Sequence, residues 1–170
     1  MLLVNPNRSA RFVLLYAVMP TIVISFIVNL VISHALFGHL EQVNAWGAGA
    51  LGPELVITSF MLPFITSLIL IPLMRRAYKN GKADRIERFV SIACALPKNL
   101  LAASFVIGII SAAAAGSLAA FAIGMSNADV FGSANAIAIR TGFATLLALA
   151  VSWCVTCMAL SQAAEMTERE

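Results

Sequence analysis

Four long apolar runs decide what this chain can fold into. Residues 12–33, 53–73, 99–123 and 141–160 each offer about 20 or more residues with almost no charge. At 1.5 Å rise per residue, a helix of that length crosses a hydrocarbon core of ~30 Å. Their polar content is mostly Ser, Thr and Gly, which a helix tolerates by bonding to its own backbone. Over the whole chain 61% of residues are apolar and 11% charged, against roughly 25% charged in a soluble domain. A soluble fold of 170 residues cannot hide that much apolar surface. The expectation is all-α: a polytopic membrane protein of four transmembrane helices, a single membrane domain over residues 1–170 whose solvent is the lipid bilayer.

Residues 74–88 separate the two apolar halves and hold six of the eleven Lys and Arg residues: Arg75, Arg76, Lys79, Lys82, Arg85 and Arg88. Arg8 and Arg11 precede the first run, and residues 34–52 contain neither Lys nor Arg. The loop between the third and fourth runs carries Asp129 and, at its far edge, Arg140. Positive charge gathers on the cytoplasmic side of short loops. Both termini and the 74–88 loop are therefore expected in the cytoplasm of a bacterial cell with the chain in its inner membrane. The first run is longer than the roughly 7–15 residues of a cleavable signal core. The net charge of +3 predicts no nucleic-acid partner, because the basic residues sit at membrane ends without interleaved aromatics.

The halves also echo each other. Arg11-Phe12-Val13 with Pro20 recurs as Arg88-Phe89-Val90 with Pro97, always 77 residues apart. This predicts two tandem helical hairpins, residues 11–77 and 88–163, entering from the same side as a parallel repeat. The first hairpin also carries Leu62-Pro63, then Pro72, then Arg75 and Arg76. In that ending it resembles an uncharacterised family of small bacterial two-helix inner-membrane proteins, over residues 11–77. The resemblance implies a helical hairpin and brings no function with it.

Few polar groups lie within the runs. Glu54 follows Gly52-Pro53, which reads as a helix start whose acid suits the macrodipole. That helix-start reading is the favoured one; the functional alternative is a proton- or cation-binding carboxylate at the outer mouth, on one face with Thr58 and Met61. Pro63 and Pro72 would then free carbonyls inside the span. Asn29 is the strongly polar side chain of the first run, suited to a helix–helix hydrogen bond or to a solute. Lys98 depends on where the third helix begins. A helix from Phe89 would bury it ~14 Å deep, where a charge points to function. A helix along the interface at 85–97 would let it snorkel instead. Length favours the second geometry, since 89–123 would span ~53 Å. The substrate or ion path is thus Glu54, Thr58, Asn29 and Lys98.

Cys94, Cys154 and Cys157 are read as small apolar residues in a reducing compartment. His34 and His39 are read as interfacial polar residues, so neither a metal nor another cofactor is expected. Gly108, Ala112, Gly116, Ala120 and Gly124 form a small-xxx-small packing stripe, and Ala144, Ala148, Ser152 and Thr156 form a second. Such stripes let helices approach closely in lipid, within the chain or against another subunit. No catalytic constellation stands at a plausible position, so an enzyme is not expected. Two functions remain: a small-solute or ion transporter or channel-like protein acting as a homo-oligomer, or a non-catalytic accessory subunit bound to a larger membrane partner.

Overall fold

In lipid every backbone N–H and C=O must be answered within its own segment, which makes each apolar run a helix. The computed structural model describes residues 14–81, 97, 99–126 and 128–168. Within them, four helices are long and apolar enough to cross a membrane: Leu15–Phe37, Leu51–Lys79, Leu100–Met125 and Ser133–Ala163. The all-α membrane architecture is therefore as the sequence predicts, with these as the first to fourth spans.

The first span opens with a π-helical turn, Leu14–Val18, and continues as α1, Met19–Phe37. The second, α2, Leu51–Lys79, runs unbroken through Pro63 and Pro72. Those prolines remove the N–H groups that would answer the Ser59 and Leu68 carbonyls. Ser59 and Ser67 donate their hydroxyls to the Leu55 and Pro63 carbonyls, each at 2.7 Å. The third span is composite: α3, Leu100–Ser111, then a π-helical segment, Ala112–Gly116, then α4, Ser117–Met125. Asn99 caps it, accepting the Leu101 N–H at 3.0 Å, and Pro97 before it is not helical. A continuous helix from Phe89 is therefore not formed. Of the interfacial helix expected at 85–97, residues 85–96 lie outside the described residues, as do Lys98 and Cys94.

The fourth span, within α5, Ser133–Glu168, begins well before residue 141. Arg140, expected at the edge of a loop, is instead inside the helix. The helix starts early because its end is anchored from outside. The Ser133 hydroxyl donates to the Phe37 carbonyl at 2.7 Å, joining the start of the fourth span to the end of the first. Just before it, β2, Val130–Gly132, pairs antiparallel with β1, Gln42–Asn44, with Val43 opposite Phe131. The loops after the first and third spans are thus stitched together at one end of the bundle.

The helices form an open row rather than a closed bundle. The fourth span packs along both the first and the second, and the third packs along the second. Around the centre of the row, Leu70, Ile71 and Met74 meet Val151, Val155, Ala159 and Leu160. Ala144, Ala148, Ser152 and Thr156 are all fully buried at this interface-forming helix. The second small-residue stripe is therefore consumed inside the chain.

The third-span stripe faces the second span, not the fourth. A Cβ on Gly108 would stand 3.0 Å from the Phe60 ring, and one on Gly116 3.5 Å from Ser59 Cβ. At 3.6 residues per turn, each four-residue step drifts ~40° around a helix. The π-helical turn, whose bonds reach one residue further, absorbs that drift and returns Gly116 to the Gly108 face. Beyond it α geometry resumes. Ala112 and Ala120 are half-buried, Gly124 is exposed, and Ala119 and Ile123 are the buried residues of α4. The stripe thus packs through Gly108 and Gly116 and has turned off the interface by Gly124.

The residues that carry the predicted repeat, 11–13 and 88–90, lie outside the described residues. Of its two prolines, Pro20 sits inside a helix and Pro97 before one.

Gly108→Leu should drive a side chain into the Phe60 ring, an overpacking that costs about 1–3 kcal/mol. Gly124→Leu, with nothing within 4 Å of its Cβ position, should leave stability unchanged. Thermal unfolding of the two variants in detergent measures the contrast.

Candidate functional site: a buried arginine at the head of a membrane groove

Because the row runs first, fourth, second, third, the first and second spans flank the fourth without packing along each other. Between them runs a groove of 530 Å³ with a mostly apolar lining. Its walls are Thr21, Ser25 and Asn29 from α1 and Ile57, Thr58, Met61 and Ile65 from α2, among others, and Arg140 of α5 borders it. Two of the expected path residues, Asn29 and Thr58, are thereby brought to one cavity.

The regular run of polar residues belongs to α1, with Thr58 and Thr66 added from α2. Thr21, Ser25, Asn29 and Ser33 recur every four residues, a spacing that puts them on one helix face. Most of their hydrogen-bonding capacity is spent locally. Thr21 Oγ1 donates to the Ala17 carbonyl at 2.7 Å, and Asn29 Nδ2 donates to the Ser25 carbonyl at 2.9 Å and to Ser25 Oγ at 3.2 Å. Asn29 therefore makes an intrahelical bond where a bond between helices was one expectation.

Ser33 is the exception. Fully buried, its Oγ accepts from Arg140 Nη1 at 3.0 Å and from Thr141 Oγ1 at 3.2 Å. Arg140 is 5% exposed and lies seven residues into α5, ~10 Å along the helix from its start. Its other partner is Glu54, with Nη2 3.6 Å from Oε2. A well-made charge-assisted bond of this kind is about 2.7–2.9 Å, so the pair is loose. Arg140 Nε is buried and donates to nothing among the described residues. A guanidinium with five N–H donors is here only partly answered.

Glu54 is held at this spot by the start of α2. The Gly52 N–H donates to the Ala45 carbonyl at 3.0 Å, and a Cβ at Gly52 would lie 2.9 Å from that oxygen and 3.0 Å from the Trp46 ring. Only glycine allows the helix start to sit so close to the loop. Two residues on, Glu54 lies in the first turn with its side chain 22% exposed.

Of the expected path residues, then, Asn29 and Thr58 line the groove and Glu54 reaches it through Arg140; Lys98 lies outside the described residues. Sequence reasoning missed Arg140, Ser33, Thr21 and Ser25. The signal was available in the four-residue polar period of an otherwise apolar first run. Cys154 is exposed and Cys157 buried, both as free thiols. Among the described residues no group of three His, Cys, Asp or Glu is arranged to hold a metal ion. The chain matches no protein-family model, no curated protein and no solved structure.

The charges of Arg140 and Glu54 are expected to be coupled. Removing one partner of a fully buried pair costs about 3–5 kcal/mol, and an exposed pair contributes about 0.2–1 kcal/mol. Glu54 is partly exposed, so Glu54→Leu should cost about 2–3 kcal/mol. The double variant Glu54→Leu/Arg140→Met should recover more than half of that loss. A double-mutant cycle by denaturant unfolding in mixed micelles gives the coupling.

Proposed function

We propose that the protein is a small transporter or channel-like protein acting as an oligomer, with its path along the groove between the first and second spans. The observation that carries this reading is the convergence of Thr58, Asn29 and Arg140 on one cavity, with Glu54 paired to Arg140 at its head. A charge inside a span is costly and marks substrate pathways more often than it marks packing. The open row supports oligomerisation in this reading, since four helices in that order wall the groove without closing it to lipid.

The packing stripes argue against the accessory-subunit reading that they first suggested. Gly108, Gly116 and the Ala144 to Thr156 stripe meet neighbours within the chain, so they do not leave a small-residue face for a larger partner. In this reading the basic 74–88 loop fixes the topology, both termini are cytoplasmic, and the membrane is the bacterial inner membrane. Two tandem hairpins as a parallel repeat also fit the row. Exchanging the first span with the third, and the second with the fourth, leaves its neighbour relations and the β1–β2 pair unchanged.

The test is charge displacement on a supported membrane carrying the reconstituted protein. A panel of small organic acids, amines and inorganic cations is applied under an imposed pH gradient. Wild-type protein should give a signal with at least one class, and Glu54→Gln should abolish it while helicity and oligomeric mass are unchanged. A silent panel, together with stoichiometric co-purification of a larger membrane protein in mild detergent, would replace this reading with the accessory one.

A further inference from the structure

The chemistry of the groove narrows the class of molecule that it takes, and the inference rests on the transport reading above. The groove is apolar over most of its length. From Ile57 to Leu70 its α2 wall runs 13 residues, ~20 Å, and its 530 Å³ falls within the ~300–1,000 Å³ of sites that enclose one small molecule. A fully hydrated ion or a sugar would find little here to replace its water, because the lining is mostly apolar and the donors of Thr21 and Asn29 are committed to their own helix. What the groove offers an occupant is apolar wall along its length and a cation at one end.

That cation is not saturated. Arg140 is buried, its contact to Glu54 is 3.6 Å, and its Nε donates to nothing among the described residues. A carboxylate or phosphate arriving along the groove would meet a planar donor fork suited to two parallel hydrogen bonds. Glu54 stands where such an acid would compete with it. The complementarity therefore has two parts in fixed order: an acidic group at Arg140, and a single apolar chain extending past Met61 and Ile65 toward Leu70.

We propose that the groove binds a single-chain amphiphile with an acidic head, the head on Arg140 in competition with Glu54 and the chain between the first and second spans. A free long-chain fatty acid has this chemistry. A two-chain bilayer phospholipid shares the acidic head but carries a second chain for which the groove has no counterpart.

The experiment is binding rather than flux, so that it can fail independently of the transport reading. Oleate, oleyl alcohol and dioleoylphosphatidylglycerol are titrated separately into the full chain in non-ionic detergent and followed by native mass spectrometry. The expected result is one oleate per chain, bound at least tenfold more tightly than oleyl alcohol or dioleoylphosphatidylglycerol. Arg140→Gln should reduce the preference for the acid over the alcohol to about onefold. Ile65→Trp, which fills the groove from its exposed wall, should weaken oleate and oleyl alcohol alike by tenfold or more.

Glu54→Gln removes the native competitor and should tighten oleate several-fold, although the same change is expected to abolish transport. It also keeps the test decisive if Arg140→Gln does not fold. Equal binding of acid and alcohol, or weaker oleate binding in Glu54→Gln, overturns the proposal. Tighter binding of the phospholipid makes the groove a bilayer-lipid site and overturns it too. If oleate fails to bind while Glu54-dependent flux of another solute persists, only the ligand class falls and the transport reading stands.

Discussion

A guanidinium inside a membrane span sets the terms for the rest of this fold. Arg140 is 5% exposed, so its donors are answered from neighbouring helices. The answers come from Ser33 on the first span and Glu54 on the second. One side chain therefore fixes the relative height of three helices. An apolar contact would not do this, because sliding one apolar helix along another in lipid exchanges similar contacts, whereas sliding Arg140 past its partners strands a charge. The β1–β2 pair and the Ser133–Phe37 bond lie near the same end of the bundle and enforce the same register from outside. Polar bonds set the heights, and apolar packing fills in behind them.

The packing explains why a groove exists at all. In lipid there is no hydrophobic drive between helices, so contact forms where backbones can come close. The fourth span offers Ala144, Ala148, Ser152 and Thr156 to its neighbours, and the third offers Gly108 and Gly116. Those surfaces make the fourth span the neighbour of both the first and the second, and the second the neighbour of the third. The first and second spans face each other mainly with large apolar side chains such as Ile24, Val28, Ile57 and Met61. They are left standing apart on a shared support, and the space between them is the cavity. The groove is thus a consequence of where small residues were spent.

How much of this could be read from the sequence divides along physical lines. Four spans were legible because length and apolarity are summed over about 20 residues, and no single side chain can disguise them. Glu54, Thr58 and Asn29 were legible as polar exceptions in an apolar phase. Arg140 was not, for a specific reason: a reading that ends a span at the first charge will exclude any charge the helix has chosen to bury. Residues 133–139 look like a loop by that rule, yet Ser133 and the strand pair make them helix. Ser33, Ser25 and Thr21 were hidden because isolated hydroxyls in a span are ordinary, and only their four-residue period distinguishes them. The small-residue stripe was legible as a stripe but not as to its target. It holds phase to Gly116 through a π-helical turn that Ala-Ala-Ala-Ala-Gly does not announce, and loses it by Gly124 where α geometry resumes.

Glu54 shows why the two readings of a membrane carboxylate need not compete. As the acid in the first turn of α2 it is stabilised by that helix's N-terminal partial charge, and this holds whether or not Arg140 is its partner. The 3.6 Å contact to Arg140 is then a second, looser interaction laid over the first. An incoming acid that captures the guanidinium does not leave Glu54 without compensation, because the helix start and the partly exposed mouth still receive it. Were Glu54 buried to the depth of Ser33, its release would strand a carboxylate in an apolar phase, and Arg140 would be a structural lock only. Being the acid of a helix start is what makes Glu54 a replaceable partner, and a replaceable partner is what a binding site at Arg140 requires.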